Sequence, residues 1–203
     1  MRLIGDNLSA ERGGDPIFAQ ISFTVESGQA LVITGPNGSG KSTLLRVIAG
    51  LLPAMEGQMR LEGAGDNWPT PAAACHYVGH LNAMKTALSV NENLQFWQHF
   101  MGEPALGIAE ALDEVELGHV GHLPFGYLST GQKRRAALAR LLTSHRPVWL
   151  LDEPTAGLDK ASETRLAALM KRHLDTSGII LAATHLPLGI KAEELRMGDT
   201  WRG

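Results

Sequence analysis

An α/β fold built around a phosphate-binding loop is what this sequence predicts, and three stretches carry the prediction. Gly35-Pro36-Asn37-Gly38-Ser39-Gly40-Lys41-Ser42 matches G-x-x-x-x-G-K-[ST]; the apolar run Ala30-Leu31-Val32-Ile33 precedes it as a strand, and Ser42 to Ala49 follow with apolar residues at helical spacing. Pro147-Val148-Trp149-Leu150-Leu151 reads as a buried parallel strand that ends in two carboxylates, Asp152 and Glu153. Gly178 to Thr184 forms the last buried strand, with His185 at its carboxyl end, where open α/β sheets place their ligand sites.

The remaining elements are arranged around these. Leu3 to Ser9 and Ile21 to Ser27 predict two strands with the turn Gly13-Gly14-Asp15-Pro16 between them, a small sheet beside a nucleotide site. Gly50-Leu51-Leu52-Pro53 ends the helix after the loop, Gly57 to Gly63 is a short strand, and Asp66 to Ala74, with Pro69 and Pro71, is loop. His76-Tyr77-Val78-Gly79 is a short buried strand, after which the chain changes character. Ser89 caps a helix that runs through Trp97, with Glu92 completing a capping box, and Pro104 to Val115 is a second amphipathic helix with proline in its first turn. With a third helix starting near Thr130, these predict a helical subdomain inserted between strands of the sheet. Ser129-Thr130-Gly131-Gln132, serine and glycine at a helix N-terminus, is a second anion-binding arrangement. Pro154 to Asp159 is a turn, and Ala161 to Leu174 is a helix with Leu166, Leu169, Met170 and Leu174 on one face.

The chemistry follows from the residue types. Glycines let successive backbone N–H groups of the Gly35–Ser42 loop turn toward one point, and the positive end of the next helix adds to their field. Lys41 would then reach the β and γ phosphates, and the Ser42 hydroxyl would be a ligand of Mg²⁺. Asp152, at the end of its strand, would hold Mg²⁺ directly or through water, and Glu153 would orient and deprotonate a water aimed at the γ-phosphate. His185 is placed to donate a hydrogen bond to that phosphate.

Composition narrows the class. With 203 residues, 44% of them hydrophobic, the chain is expected to form one compact unit over residues 1–203. A formal net charge of −3 gives no basic field pointing to nucleic acid, and Lys133-Arg134-Arg135 is read as a solvated face or a dimer contact. The single cysteine, Cys75, cannot form an internal disulfide, and the N-terminus lacks the apolar core of a secretory signal, so a cytosolic protein is expected. No apolar stretch approaches the roughly 20 residues that span a bilayer, so in a membrane process another chain would supply the spans.

In order and spacing, Gly35 to Ser42, Leu128-Ser129-Thr130-Gly131-Gln132, Leu150-Leu151-Asp152-Glu153, Gly157-Leu158-Asp159 and His185 resemble the ATP-binding subunits of ABC transporters over essentially the whole chain. The resemblance implies a P-loop NTPase fold of the ABC ATPase type: a RecA-like core, a small N-terminal antiparallel β subdomain and an inserted α-helical subdomain. The core would be about residues 1–80 and 145–203, and the helical subdomain about 81–144. It implies ATP and Mg²⁺ as cofactors, integral membrane transporter subunits as partners, and a peripheral location on the cytoplasmic face of the cell's inner membrane. It also implies a head-to-tail dimer in which each ATP lies between one subunit's phosphate loop and the other's signature loop. Gly35, Pro36, Asn37, Gly38, Ser39, Gly40, Lys41, Ser42 and Thr43 would bind phosphates and Mg²⁺, and Ser129, Gly131 and Gln132 would serve the partner's ATP. Asp159 would link the two sites, Glu153 would be the general base and His185 the γ-phosphate sensor.

Two positions depart from that family. Where its members carry a glutamine that contacts Mg²⁺ and the attacking water, this chain has His80, whose neutral imidazole can accept a hydrogen bond and whose protonated form cannot. Near Glu11 and Arg12, where relatives often stack a tyrosine on adenine, no aromatic occurs; Arg12 through its guanidinium plane, or Phe18, would have to serve. A finer resemblance, to the subfamily that exports haem for cytochrome c maturation, rests on several short strings. These are Tyr77-Val78-Gly79-His80, Lys85-Thr86, Asn91-Glu92-Asn93-Leu94 and Thr184-His185-Leu186-Pro187-Leu188, with a chain that stops soon after His185. Other readings stay open on the sequence alone: the subunit of another ABC exporter, a soluble ABC-type ATPase acting on nucleic acid, and a phosphate-loop kinase. The nucleic-acid ATPases usually bring coiled-coil inserts, a tandem domain or basic extensions that this sequence lacks, and a kinase leaves Leu128 to Gln132 unexplained.

Overall fold

The computed structural model describes residues 1–198, so the last residues of the expected core, 199–203, lie outside it. The chain divides into two compact units: Met1–Gly79 with Pro147–Pro154 and the chain from Met170 onward, and His80–Arg146 with Thr155–Leu169.

The first unit holds two sheets. In the antiparallel one, β1 (Arg2–Arg12) lies between β2 (Asp15–Glu26) and β4 (Glu56–Glu62). Both hairpin strands run further than Leu3 to Ser9 and Ile21 to Ser27. Gly13 and Gly14 alone make the turn, at φ of 64° and 89°, and Arg12 already pairs with Asp15. Pro16, expected in the turn, sits in β2 instead, an edge strand in which its missing N–H leaves no ladder bond unmade.

The second sheet is parallel, in the order β5 (Cys75–Val78), β6 (Val148–Asp152), β7 (Ile179–Ala183), β3 (Ala30–Thr34), β8 (Glu193–Arg196). Every residue of β6 and β7 is buried, which is why both read as unbroken apolar runs. Nothing in Glu193-Glu194-Leu195-Arg196 signals a strand, and β8 is an addition to the sequence reading. It is a solvated edge held by backbone pairing to β3, and its charges face water where an apolar edge would invite aggregation. Helix α1 (Lys41–Ile48) buries Leu44, Leu45, Val47 and Ile48. These join Leu3, Leu8 and Phe23 of the antiparallel sheet and Leu31, Leu150 and Leu181 of the parallel one in a single apolar core, each side chain contributing about 1.5–3 kcal/mol. Asp152 pairs with Ala183, and Ala183 with Ile33, so β3, β6 and β7 end side by side and release their loops at one edge.

The second unit contains α2 (Val90–Met101), α3 (Ile108–Glu114), α4 (Thr130–Thr143) and the first part of α5 (Lys160–Asp175). Ser89 and Glu92 form the expected capping box. The helix expected over Pro104 to Val115 is shorter, Ile108–Glu114. The preceding residues are extended instead: the N–H groups of Ala105 and Leu106 donate to the carbonyls of Thr143 and Leu142, satisfying the end of α4, and Pro104 bridges Ser144. Glu110 then caps α3 by accepting from the Gly107 N–H at 3.0 Å. Between α2 and α4, the Arg140 guanidinium stacks on the Trp97 ring at 3.6 Å, and burial pushes its pKa down to about 10, which leaves it charged at neutral pH. Trp97 in turn donates to the carbonyl of Ala83, and Asn93 accepts from the N–H of Lys85, so the loop before α2 is fastened to the helices.

Candidate active site

The phosphate loop leaves β3 through Gly35 at φ +139°. A Cβ there would lie 2.3 Å from the carbonyl oxygen of Met197, so the position admits only glycine. Gly40, at φ +91°, caps α1, and a Cβ on it would stand 2.7 Å from Ile17 Cγ2. The loop therefore turns sharply between the Met197 backbone and the Ile17 side chain, and the first N–H groups of α1 open onto it. Lys41 Nζ donates to the carbonyls of Gly35 and Pro36, both at 2.8 Å, which folds its ammonium back over the loop. Ser42 Oγ, one residue on, donates to Asp152 Oδ1 at 2.9 Å.

These groups line a cleft of about 430 Å³, bounded by Arg12, Ile17, Asn37, Gly38, Gly40, Lys41, Ser42, Thr43, Asp152 and Glu153, within the usual range for small-ligand sites. Of the two side chains considered for stacking on adenine, Arg12 is on the cleft wall and Phe18 is buried in the core at 6% exposure. Phe18 is thereby removed from the site by its packing.

Glu153 follows directly on β6 with φ +46°, a left-handed conformation that an L-residue adopts at a cost of roughly 1–2 kcal/mol. Its N–H donates to Ala183 O at 2.8 Å, so the strained residue is tied to the end of β7. Its carboxylate is held at both oxygens: Oε2 accepts from Thr184 Oγ1 at 3.1 Å, and Oε1 lies 3.1 Å from His185 Nδ1. Thr184 was not singled out by the sequence, although a polar residue closing an apolar strand beside His185 was a signal. Tyr77 is a second group the sequence left without a role: its hydroxyl accepts from Arg46 Nε at 3.4 Å, and burial first, then the nearby Asp152 charge, push its phenol above the ordinary range.

The first unit thus brings Gly35 to Thr43, Asp152, Glu153 and His185 together. The other candidates belong to the second unit. Ser129 is the N-cap of α4 and forms a reciprocal box with Gln132, each side chain accepting from the other's N–H. Gly131 faces the carbonyl of Gly157, where a Cβ would lie 3.2 Å away. Asp159 opens α5: Ser162 N–H donates to it at 2.8 Å, and that bond holds its carboxyl below the usual range, with Arg135 and Arg165 adding to the effect. His80 is exposed and is the first residue of this unit.

A strand, a glycine loop with its lysine, and a paired carboxylate at the end of β6, which β7 separates from β3 in the sheet, constitute a nucleotide site, and its family follows from comparison with known proteins. The family model described as "ABC transporter" matches residues 18–156. The chain belongs to the ABC transporter family. It is 68% identical over 198 residues to a Mesorhizobium japonicum protein named "Cytochrome c biogenesis ATP-binding export protein CcmA", 98% of each chain being covered. A Brucella abortus protein of the same name is 62% identical over 94% of this chain and 88% of its own. Among solved structures, a putative ABC transporter ATP-binding protein of Pyrococcus furiosus superposes with a TM-score of 0.82 at 24% identity, over 97% of this chain and 98% of the other, a likeness of fold. The ABC-type fold expected from the sequence is therefore the fold of this chain, and it is an ATP-binding subunit and an ATPase. Such a subunit works with membrane partner subunits, and among the described residues no helix is long and apolar enough to cross a membrane.

Proposed function

We propose that this ABC ATPase energises an export step of cytochrome c biogenesis and that the cargo is haem. Near-full-length identity to proteins named for that process carries the reading, and the resemblance of Tyr77 to His80 and Thr184 to Leu188 to the haem-export subfamily supports the cargo. The loop N–H groups and Lys41 bind the β and γ phosphates of ATP. Ser42 Oγ and Asp152 Oδ1, 2.9 Å apart at the cleft edge, are the hard oxygen donors that suit Mg²⁺. When bound, that ion neutralises charge on the phosphates. Glu153 takes a proton from the attacking water as the new O–P bond forms and the bond from the γ-phosphorus to the bridging oxygen breaks; ADP leaves with the bridging oxygen. His185 donates to the γ-phosphate. In a head-to-tail dimer, Ser129, Gly131 and Gln132 of a second copy complete each site, Asp159 links the two sites, and Lys85 to Phe100 pass closure to the membrane subunits. The protein works from the cytoplasmic face of the inner membrane, peripherally, and not on nucleic acid.

The test is affinity capture of tagged protein from detergent-solubilised membranes of its native host, wild type against Glu153→Gln with ATP present. Integral membrane proteins dedicated to cytochrome c assembly are the expected catch, enriched with the variant. Nucleic-acid factors without any membrane protein would overturn the reading.

His80 takes the place of the family's glutamine in this scheme and serves as a neutral acceptor. Turnover is then expected to fall on the acid side as the imidazole protonates, and His80→Gln to flatten that acid limb. An unchanged pH profile in the variant would remove His80 from the site.

A further inference from the structure

We infer that Thr184 is a positioning residue for the catalytic base, fixing the Glu153 carboxylate toward the water it deprotonates. The inference rests on Glu153 being that base. Thr184 is 1% exposed, and its N–H donates to Ile33 O at 3.3 Å, so its backbone is anchored between the ends of β7 and β3. Its hydroxyl has one proton to give. The N–H of Leu186 donates to Oγ1 at 3.0 Å, and the proton is directed to Glu153 Oε2 at 3.1 Å. A buried hydroxyl oriented by a backbone N–H is a rigid donor.

The other support of the carboxylate is different in kind. His185 Nδ1 approaches Oε1, but the His185 side chain is 72% exposed. Thr184 is the buried end of a two-point clamp, and His185 its solvent-facing end. Glu153 needs such a clamp because its backbone, at φ +46°, turns the side chain off the line of β6 and across to β7, and its own N–H bond to Ala183 O fixes the backbone but not the carboxylate. A donated hydrogen bond stabilises the ionised carboxylate and so does not strengthen it as a base. What Thr184 supplies is orientation, and misplacement of a reacting group by about 1 Å costs on the order of 10²-fold in rate.

The experiment compares steady-state ATP hydrolysis by the assembled transporter carrying Thr184→Val, Thr184→Ser, Glu153→Gln, or Thr184→Val with Glu153→Gln. Thr184→Val, which keeps the volume and removes the hydroxyl, is expected to lower kcat by about 10- to 100-fold, the worth of one hydrogen bond to a charged group, with the KM for ATP within about 2-fold of wild type. Thr184→Ser is expected to restore kcat, and Thr184→Val to add no loss in the Glu153→Gln background. Should the valine variant not assemble, Thr184→Ala against Thr184→Ser reads the same split. Wild-type kcat without the hydroxyl, a serine variant as slow as the valine one, or an equal loss in the Glu153→Gln background each overturns the inference while Glu153 stands as the base. Wild-type turnover by Glu153→Gln alone overturns the assignment of the base, and the inference with it.

Discussion

Replacing Glu153 by glutamine is expected to lower ATP turnover by about 10²- to 10⁴-fold, the usual contribution of a positioned general base. The amide has the shape of the carboxylate and can still accept from Thr184 Oγ1, so the clamp on the side chain persists while the group proposed to take the proton is gone. ATP affinity is expected to stay within about 3-fold of wild type, because in the proposed scheme the loop and Lys41 bind the phosphates and Glu153 does not. Phosphate release and ATP binding, measured on the same preparation, check both halves. Turnover close to wild type would mean that Glu153 is not the base.

Gly35→Ala is expected to carry a large cost in stability. Its φ of +139° is one an L-residue rarely adopts, and its new Cβ would meet a backbone oxygen, Met197 O, at 2.3 Å and Ser39 Oγ at 2.9 Å. Met197 cannot simply retreat, since its own N–H donates to Thr34 O at 2.8 Å. Backbone strain and overpacking together should destabilise the chain by about 3 kcal/mol or more, a fall in Tm of roughly 6–12 °C for a protein of this size, and ATP binding should be lost as the loop shifts. Gly38→Ala is the control: its φ is +84° but nothing lies within 4 Å, so only the backbone term, about 1–2 kcal/mol, applies. Thermal unfolding with and without ATP separates the two variants; equal effects would show that contact with Met197 is not what Gly35 avoids.

What could be read from the sequence was what is local in it. The phosphate loop, the capping box of Ser89 and Glu92, and the strand ending in Asp152 and Glu153 each declare themselves within ten residues, because glycine spacing, cap chemistry and an apolar run are short-range signals. What could not be read depends on partners distant in the chain. β8 is a strand only because β3 offers its edge, and a charged run such as Glu193 to Arg196 carries no sign of that. Residues 103–106 have helix-compatible neighbours but extend to cover the last carbonyls of α4, a demand set by α4 itself. Thr184 gains its role from a hydrogen bond to a residue 31 positions earlier, and the left-handed backbone of Glu153 has no signature in its residue type.

The order of the parallel sheet also dictates when the site can exist during synthesis. The phosphate loop and its strand are made early, yet both sheet neighbours of β3 come from the end of the chain: Ala30 waits for Ile180, and Leu31 for Glu193. A nascent chain still short of β7 carries the motif with no sheet to hold it and with the apolar faces of Leu31 and Ile33 uncovered, a state open to non-native pairing. ATP then stabilises only the finished sheet, by mass action as a late ligand. A chain cut off before Ile179 would keep the whole of Gly35 to Ser42 without the neighbours that shape it into a binding site.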